Sequence, residues 1–241
     1  MAKYIDQPAS KFTMSNLHRS GQRFKNFPSA LYAVDVTFQP TFAPAGGFAE
    51  KKRFFSKKHG QYGLKVEASV LPNGLAIHVS PAVPGSVADI SICESMEDFH
   101  KAQLTKADDD VAMEDGGPLS QEYPRTWAVL ADKGYQGLHR HLRAITPAKR
   151  PPGGLLSVEE MANNDKIASD RLSIIVVYSN SQRTAIPSTG GLIDLFSFLL
   201  RQEVSTIPAT SSYGRWSSGI QARESPMSTV WLSTLGDTAY L

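Results

Sequence analysis

Two aspartates stand where strand-forming sequence makes an acid conspicuous. Asp35 interrupts the apolar, β-branched run 31–38 (LYAVDVTF), and Asp132 follows the run 126–131 (TWAVLA), directly before Lys133-Gly134-Tyr135. A carboxylate buried without a partner is costly, so each needs a cation, a donor or an opening to solvent. If the two strands pair in parallel, the carboxylates come side by side, and Asp132 lies at the carboxyl end of a strand, where open α/β sheets hold their ligands. Side-by-side carboxylates can bridge divalent ions. Mg²⁺ takes oxygen ligands octahedrally and keeps several waters, and Mn²⁺ suits the same donors. Such ions activate an attacking water or hydroxyl and stabilise the leaving oxygen of a phosphodiester. The same residues also have a purely structural reading, in which Asp35 pairs with a buried Lys or Arg and Asp132 caps the turn after it.

The elements that must position these acids are legible in part. Residues 31–38 read as a buried strand ending at Gln39-Pro40. Runs 64–71 and 75–80 are strand-like and joined by Pro72-Asn73-Gly74, a hairpin signal, with Val66, Ala68 and Val70 on one face. After Pro84-Gly85, the stretch Ser86-Val87-Ala88-Asp89 reads as a capping box, and Ile92, Met96 and Phe99 form the apolar stripe of the helix it would open. Residues 126–131 predict another buried strand, 145–154 a Pro- and Gly-rich loop, and 158–177 a mainly helical segment. The first 30 residues lack sustained periodicity and read as a loose lead-in. Residues 178–241 are rich in Ser and Thr and contain no lysine, which reads as an atypical tail.

Composition limits the function classes. The chain has 241 residues, 41% hydrophobic and 20% charged, enough to bury a sizeable core in one domain. No run approaches the roughly 18 apolar residues of a membrane span, and the start lacks the apolar core of a secretory signal. Cys93 is the sole cysteine, which excludes an internal disulfide and a cysteine-built zinc cage; it reads as a small core residue. The net charge of +2 identifies no partner by itself, but its distribution is uneven. One basic block holds Lys51, Lys52, Arg53, Lys57, Lys58 and Lys65, and another His139, Arg140, His141, Arg143, Lys149 and Arg150. An acidic stretch from Glu94 to Asp115 separates them. His59, His139 and His141 have no metal-ligand framework and read as solvent-facing, and Tyr62 and Tyr135 as packing or turn residues.

Four motifs occur in order: AVDVTF at 33–38, FSKKHGQYGLK at 55–65, PGSVAD at 84–89 and LADKGY at 130–135. Together they resemble the DDE superfamily endonucleases, the transposases of the PIF/Harbinger type and their domesticated relatives, over residues 31–175. The resemblance implies an α/β, RNase H-like fold, a mixed sheet with flanking helices, spanning 31–177. It implies Asp35 and Asp132 as catalytic metal ligands for Mg²⁺ or Mn²⁺. Asp89 matches the PGS-x-x-D aspartate, either a supporting ligand or a helix cap. DNA is the implied partner, with Lys57, Lys58, Lys65, Arg140 and Lys149 as phosphate contacts giving salt-sensitive affinity. A separate DNA-binding partner protein and a nuclear location are implied as well.

The family's third acid is a glutamate on a later helix, in a pattern like R-x-x-(I/V)-E. Ile167-Ala168-Ser169-Asp170-Arg171 enters that region, but Ile174, Ile175, Val176 and Val177 follow, and no acid occurs from Leu172 to Ile193. The expectation is therefore weak cleavage or none, unless Glu159, Glu160, Asp165 or Asp170 substitutes. A shifted reading frame near Val176 is one explanation of the altered sequence, and sequencing the transcript tests it. The alternative function is a non-catalytic nucleic-acid-binding or protein-interaction remnant of a transposase.

Overall fold

The computed structural model describes the backbone of residues 12–185 and the side chains of residues 12–171. Strand β1 (Ala30–Pro40) lies inside a mixed sheet, antiparallel to β3 (Gln61–Val70) on one side and parallel to β6 (Ala128–Leu130) on the other. Strand β7 (Ala144–Ile145) continues the parallel part beyond β6. Three short strands, β2 (Phe55–Ser56, directly after helix α2, Phe48–Phe54), β4 (Ala76–Val79) and β5 (Val83–Pro84), pair with β3. The order β2-β3-β1-β6-β7, with helices packed around it, is the expected RNase H-like α/β fold.

Alternation along β1 builds two cores. Tyr32 and Val34 join Leu104, Val129, Ala131 and Tyr135 on one face, and Ala33 joins Ala68, Leu130, Ile145 and Ile167 on the other. The first face is covered by α1 (Met14–Arg19), α3 (Asp89–Ser95) and α4 (Glu97–Leu104), and the second receives α6 (Val158–Ala185) through Ile167. Because both faces are covered, β3 is buried from Gly63 to Val70, Lys65 and Glu67 included. The hairpin reading holds: Leu71 N–H donates to Leu75 O at 2.9 Å, and Gly74 adopts φ +83°.

Three expectations change. The lead-in is anchored, because Met14, Leu17, Phe24 and Phe27 are buried and two distant acids bind its backbone. Asp110, on α5 (Asp108–Val111), accepts the N–H groups of Met14 at 3.0 Å and Ser15 at 2.9 Å. Asp170 on α6 accepts from Asn26 N–H at 2.9 Å, Phe27 N–H at 3.0 Å and Asn26 Nδ2 at 2.8 Å. These ties are long-range, so local periodicity carries no trace of them. The capping box does not form: Ala88 is the N-cap, with no side-chain cap. The helix it was to open also breaks at Met96, which splits the stripe between α3 and α4. Finally, α6 continues past residue 177 to Ala185; the expected tail from 186 onward lies outside the described residues.

Asp170 is therefore a fastener between α6 and the chain entering β1. Replacing it with Ala leaves two backbone donors unmatched and is expected to cost about 3 kcal/mol, the order of lost hydrogen bonds to a charged group. Urea unfolding would read this as a lower midpoint at unchanged slope.

Candidate active site

The sheet register assembles the two aspartates. Ala33 pairs with Leu130 across the parallel β1/β6 ladder, and two residues further along each chain stand Asp35 and Asp132, on the same face by alternation. The β6 pairing ends at Leu130, which releases the chain into the turn Lys133–Tyr135. Asp132 caps that turn, its Oδ1 accepting the Gly134 N–H at 2.6 Å. Asp89, at the start of α3, joins from the opposite side. Its Oδ2 and Asp132 Oδ1 lie 2.7 and 2.9 Å from the point a Gly134 Cβ would occupy. A side chain at 134 would displace both carboxylates from these positions.

The other motifs locate Asp89. A Cβ on Gly85 would meet Phe54 O at 2.7 Å and both Gly63 O and Phe38 Cε2 at 2.9 Å, and one on Gly63 would strike Gln39 O and the Phe38 ring. The two glycines let PGS and QYGL lie backbone against backbone, with Gly85 N–H donating to Gly63 O at 2.9 Å. The chain then leaves β5 close beside β3, and α3 starts with Asp89 next to Lys65.

Cations hold two of the three acids. Arg171 Nη2 donates to Asp35 Oδ1 at 3.0 Å, and Lys65 Nζ donates to Asp89 Oδ1 at 2.8 Å and to Val87 O at 2.7 Å. Although 48% of the Asp35 side chain is exposed, its carboxyl pKa is raised. Lost hydration is the largest cause; Arg171 pulls the other way, and the negative charge of Asp132 adds to the rise. The Asp132 carboxylate therefore lies within electrostatic reach of Asp35. An all-oxygen donor set with unbalanced negative charge fits a hard divalent ion such as Mg²⁺ or Mn²⁺. Arg171 already answers part of that charge at Asp35. The structural and metal-binding readings of these aspartates thus meet on the same atoms.

The four candidate substitutes all lie on α6. Glu160 makes a capping box with Ser157, accepting its N–H at 2.7 Å, while Glu159 and Asp165 are exposed on α6. Asp170 is turned to Asn26 and Phe27.

The basic residues divide. Lys57, Lys58, Arg140 and Lys149 are exposed, and Lys58 lies near enough to lower the Asp35 pKa. Lys65 is interior, 7% exposed, and its ammonium is committed to Asp89 and Val87, so it positions an acid beneath the surface. Arg143 of the second basic block is fully buried against Asp115. His59, His139 and His141 are exposed, and His59 stacks on Phe38 with centroids 4.4 Å apart. Tyr62 packs edge-on against Phe55, Tyr135 is fully buried, and Cys93 is in the core.

Residues 34–177 match the sequence pattern of the DDE superfamily endonucleases. The chain belongs to that family. No curated protein and no solved structure matches it. The matched span begins one residue before Asp35 and ends within α6, so it contains all three aspartates and Arg171. In this DDE endonuclease domain the chain after Arg171 runs Leu172-Ser173-Ile174-Ile175-Val176-Val177 to the end of the matched span.

Sequence reasoning missed two features. In the sequence Arg171 is only part of a motif; in the fold it also supplies the cation that Asp35 needs. Glu67, Tyr32, His100 and Tyr135 form a buried polar chain that the sequence hides, because Lys65 and Glu67, interleaved among Val66, Ala68 and Val70, resemble a wet face. The sign available was the pair of charges in a run otherwise suited to a buried strand.

Proposed function

We propose that this chain is a transposase-derived DNA-acting domain of the PIF/Harbinger type. In this reading Asp35 and Asp132 hold one divalent ion, and cleavage is strongly reduced for want of a third acid. The observation that carries it is the placement of Asp35 on β1 and of Asp132 just past the end of the adjacent parallel β6, where the Asp132 charge helps to raise the Asp35 pKa. When bound, Mg²⁺ or Mn²⁺ would polarise a phosphodiester oxygen and lower the pKa of an attacking water. The protein's part is to hold the carboxylates. The Gly134 N–H fixes Asp132, Lys65 fixes Asp89, and Arg171 restrains Asp35. Lys57, Lys58, Arg140 and Lys149 are proposed to meet DNA phosphates, with affinity that falls steeply with salt. A nuclear location and a separate DNA-binding partner belong to the same reading.

A specific observation favours the non-catalytic alternative: the Arg171 guanidinium lies on Asp35, where a metal ion would otherwise supply positive charge. Two measurements decide between the readings. Calorimetric titration with Mn²⁺ is expected to show weak binding to the wild-type chain that both Asp35→Asn and Asp132→Asn abolish. Plasmid nicking should be slow, Mn²⁺-dependent and absent from the same variants. A folded wild-type chain that binds DNA but neither takes up Mn²⁺ nor nicks would establish the binding-module reading.

A further inference from the structure

On the opposite sheet face from Asp35 and Asp132, three potential metal ligands of different type converge. Glu67 on β3, Cys93 on α3 and His100 on α4 each present a ligand atom, and these atoms lie within 4.8 Å of one another. All three residues are fully buried. Register places Glu67 opposite Val36, one residue along β1 from Asp35 and therefore on the other face.

The surroundings are built around this cluster. His100 Nε2 is 3.2 Å from Glu67 Oε1, and its Nδ1 is 2.8 Å from the Tyr32 hydroxyl. Tyr135 Oη donates to Glu67 Oε2 at 2.9 Å. Among the described residues no Lys or Arg pairs with Glu67; the nitrogen group beside its Oε1 is the imidazole of His100. A buried carboxylate with no permanent cation is an expensive arrangement unless positive charge reaches it. The contact from Tyr32 to the far ring nitrogen also fixes the imidazole, as partners of ligating histidines do in metal sites.

We propose that Glu67, Cys93 and His100 bind a zinc ion that locks α3 and α4 to β3. The donor set selects the metal. A thiol and an imidazole suit Zn²⁺ and disfavour Mg²⁺, which takes oxygen. Zinc bonds of about 2.0–2.3 Å place tetrahedral ligand atoms roughly 3.3–3.8 Å apart. Closing the observed cluster to that spacing takes shifts on the order of 1 Å, within the reach of side-chain torsions. Binding releases the thiol proton of Cys93 to solvent, while His100 ligates through the Nε2 lone pair with its ring proton on Nδ1, donated to the Tyr32 hydroxyl oxygen; no electron transfer is involved.

The test is metal analysis of the full chain purified after growth with added zinc, followed by cobalt substitution. About one zinc per chain is expected after dialysis. In the cobalt form, thiolate coordination gives an intense near-ultraviolet charge-transfer band. Cys93→Ser should lose the band and most of the metal while circular dichroism shows a folded chain. His100→Gln should release zinc at least tenfold more readily to a chelator. Asp35→Asn and Asp132→Asn should keep their zinc, which separates this site from the aspartate face whatever becomes of DNA cleavage. A folded wild-type chain that takes up neither zinc nor cobalt overturns the proposal, as does a Cys93→Ser chain that retains the band.

Discussion

Ile175→Glu is expected to raise Mg²⁺-dependent plasmid nicking by a factor on the order of 10²–10³, the order that one preorganised polar group is worth in an active site. The argument rests on the helix that carries Arg171. Its guanidinium reaches Asp35 Oδ1 at 3.0 Å, so that face of α6 is turned to the aspartates. In the pattern R-x-x-(I/V)-E the acid is due at position 175, four residues after Arg171, and the backbone of α6 is helical through that point. A carboxylate introduced there supplies the acid that the family pattern expects. It also offers Arg171 a second partner at i,i+4 and so relaxes its hold on Asp35. Ile175→Gln, of matching size and no charge, should remain as slow as the wild-type chain. The gain in Ile175→Glu should vanish again when Asp132→Asn is added. If a folded Ile175→Glu chain nicks no faster, the aspartates do not form the metal-holding site proposed for them.

The same residues show how far the sequence reaches. Asp35 and Asp132 could be singled out because acids in apolar strand sequence are chemically costly, and a parallel pairing was enough to bring them together. The glycines of QYGL, PGS and DKGY were visible as motifs. Their reason is close packing of backbone or carboxylate against an absent Cβ, which only the assembled fold reveals. Interior charge was the hardest feature to read. Lys65 and Arg143 look like surface cations within basic blocks, yet both are buried because their partners, Asp89 and Asp115, arrive from other elements. Glu67 looks like the polar side of a half-wet strand, and it is buried because α3 and α4 close over that face. The period of a strand says which residues share a face; the elements packed on it decide whether that face is wet.

Arg143→Ala is expected to destabilise the domain by about 3–5 kcal/mol, the cost of leaving one member of a buried ion pair behind. The Arg143 side chain is fully buried and grips Asp115 with two nitrogens, Nη1 to Oδ2 at 2.5 Å and Nη2 to Oδ1 at 2.8 Å. Nε donates to Pro118 O and Nη1 to Thr126 O, each at 2.8 Å. Lys106 Nζ adds a second cation, 2.8 Å from Asp115 Oδ2. Burial alone would push the Asp115 pKa up, but these partners hold it down at about 2. A folded pKa below the unfolded value means that the carboxylate stabilises the fold above roughly pH 4 and that this stability is lost as pH falls toward 2. A depression of that size corresponds to about 2–3 kcal/mol. Urea unfolding of wild type and Arg143→Ala from pH 7 to pH 2 should therefore give curves that converge in acid. Equal differences at every pH would show that Arg143 acts through its carbonyl contacts and packing, not through Asp115. Arg143→Met with Asp115→Leu should recover only part of the loss, since the carbonyls of Pro118 and Thr126 still lack their donors. The site depends on this pair because Thr126 leads into β6, the strand that carries Asp132 to its place beside Asp35.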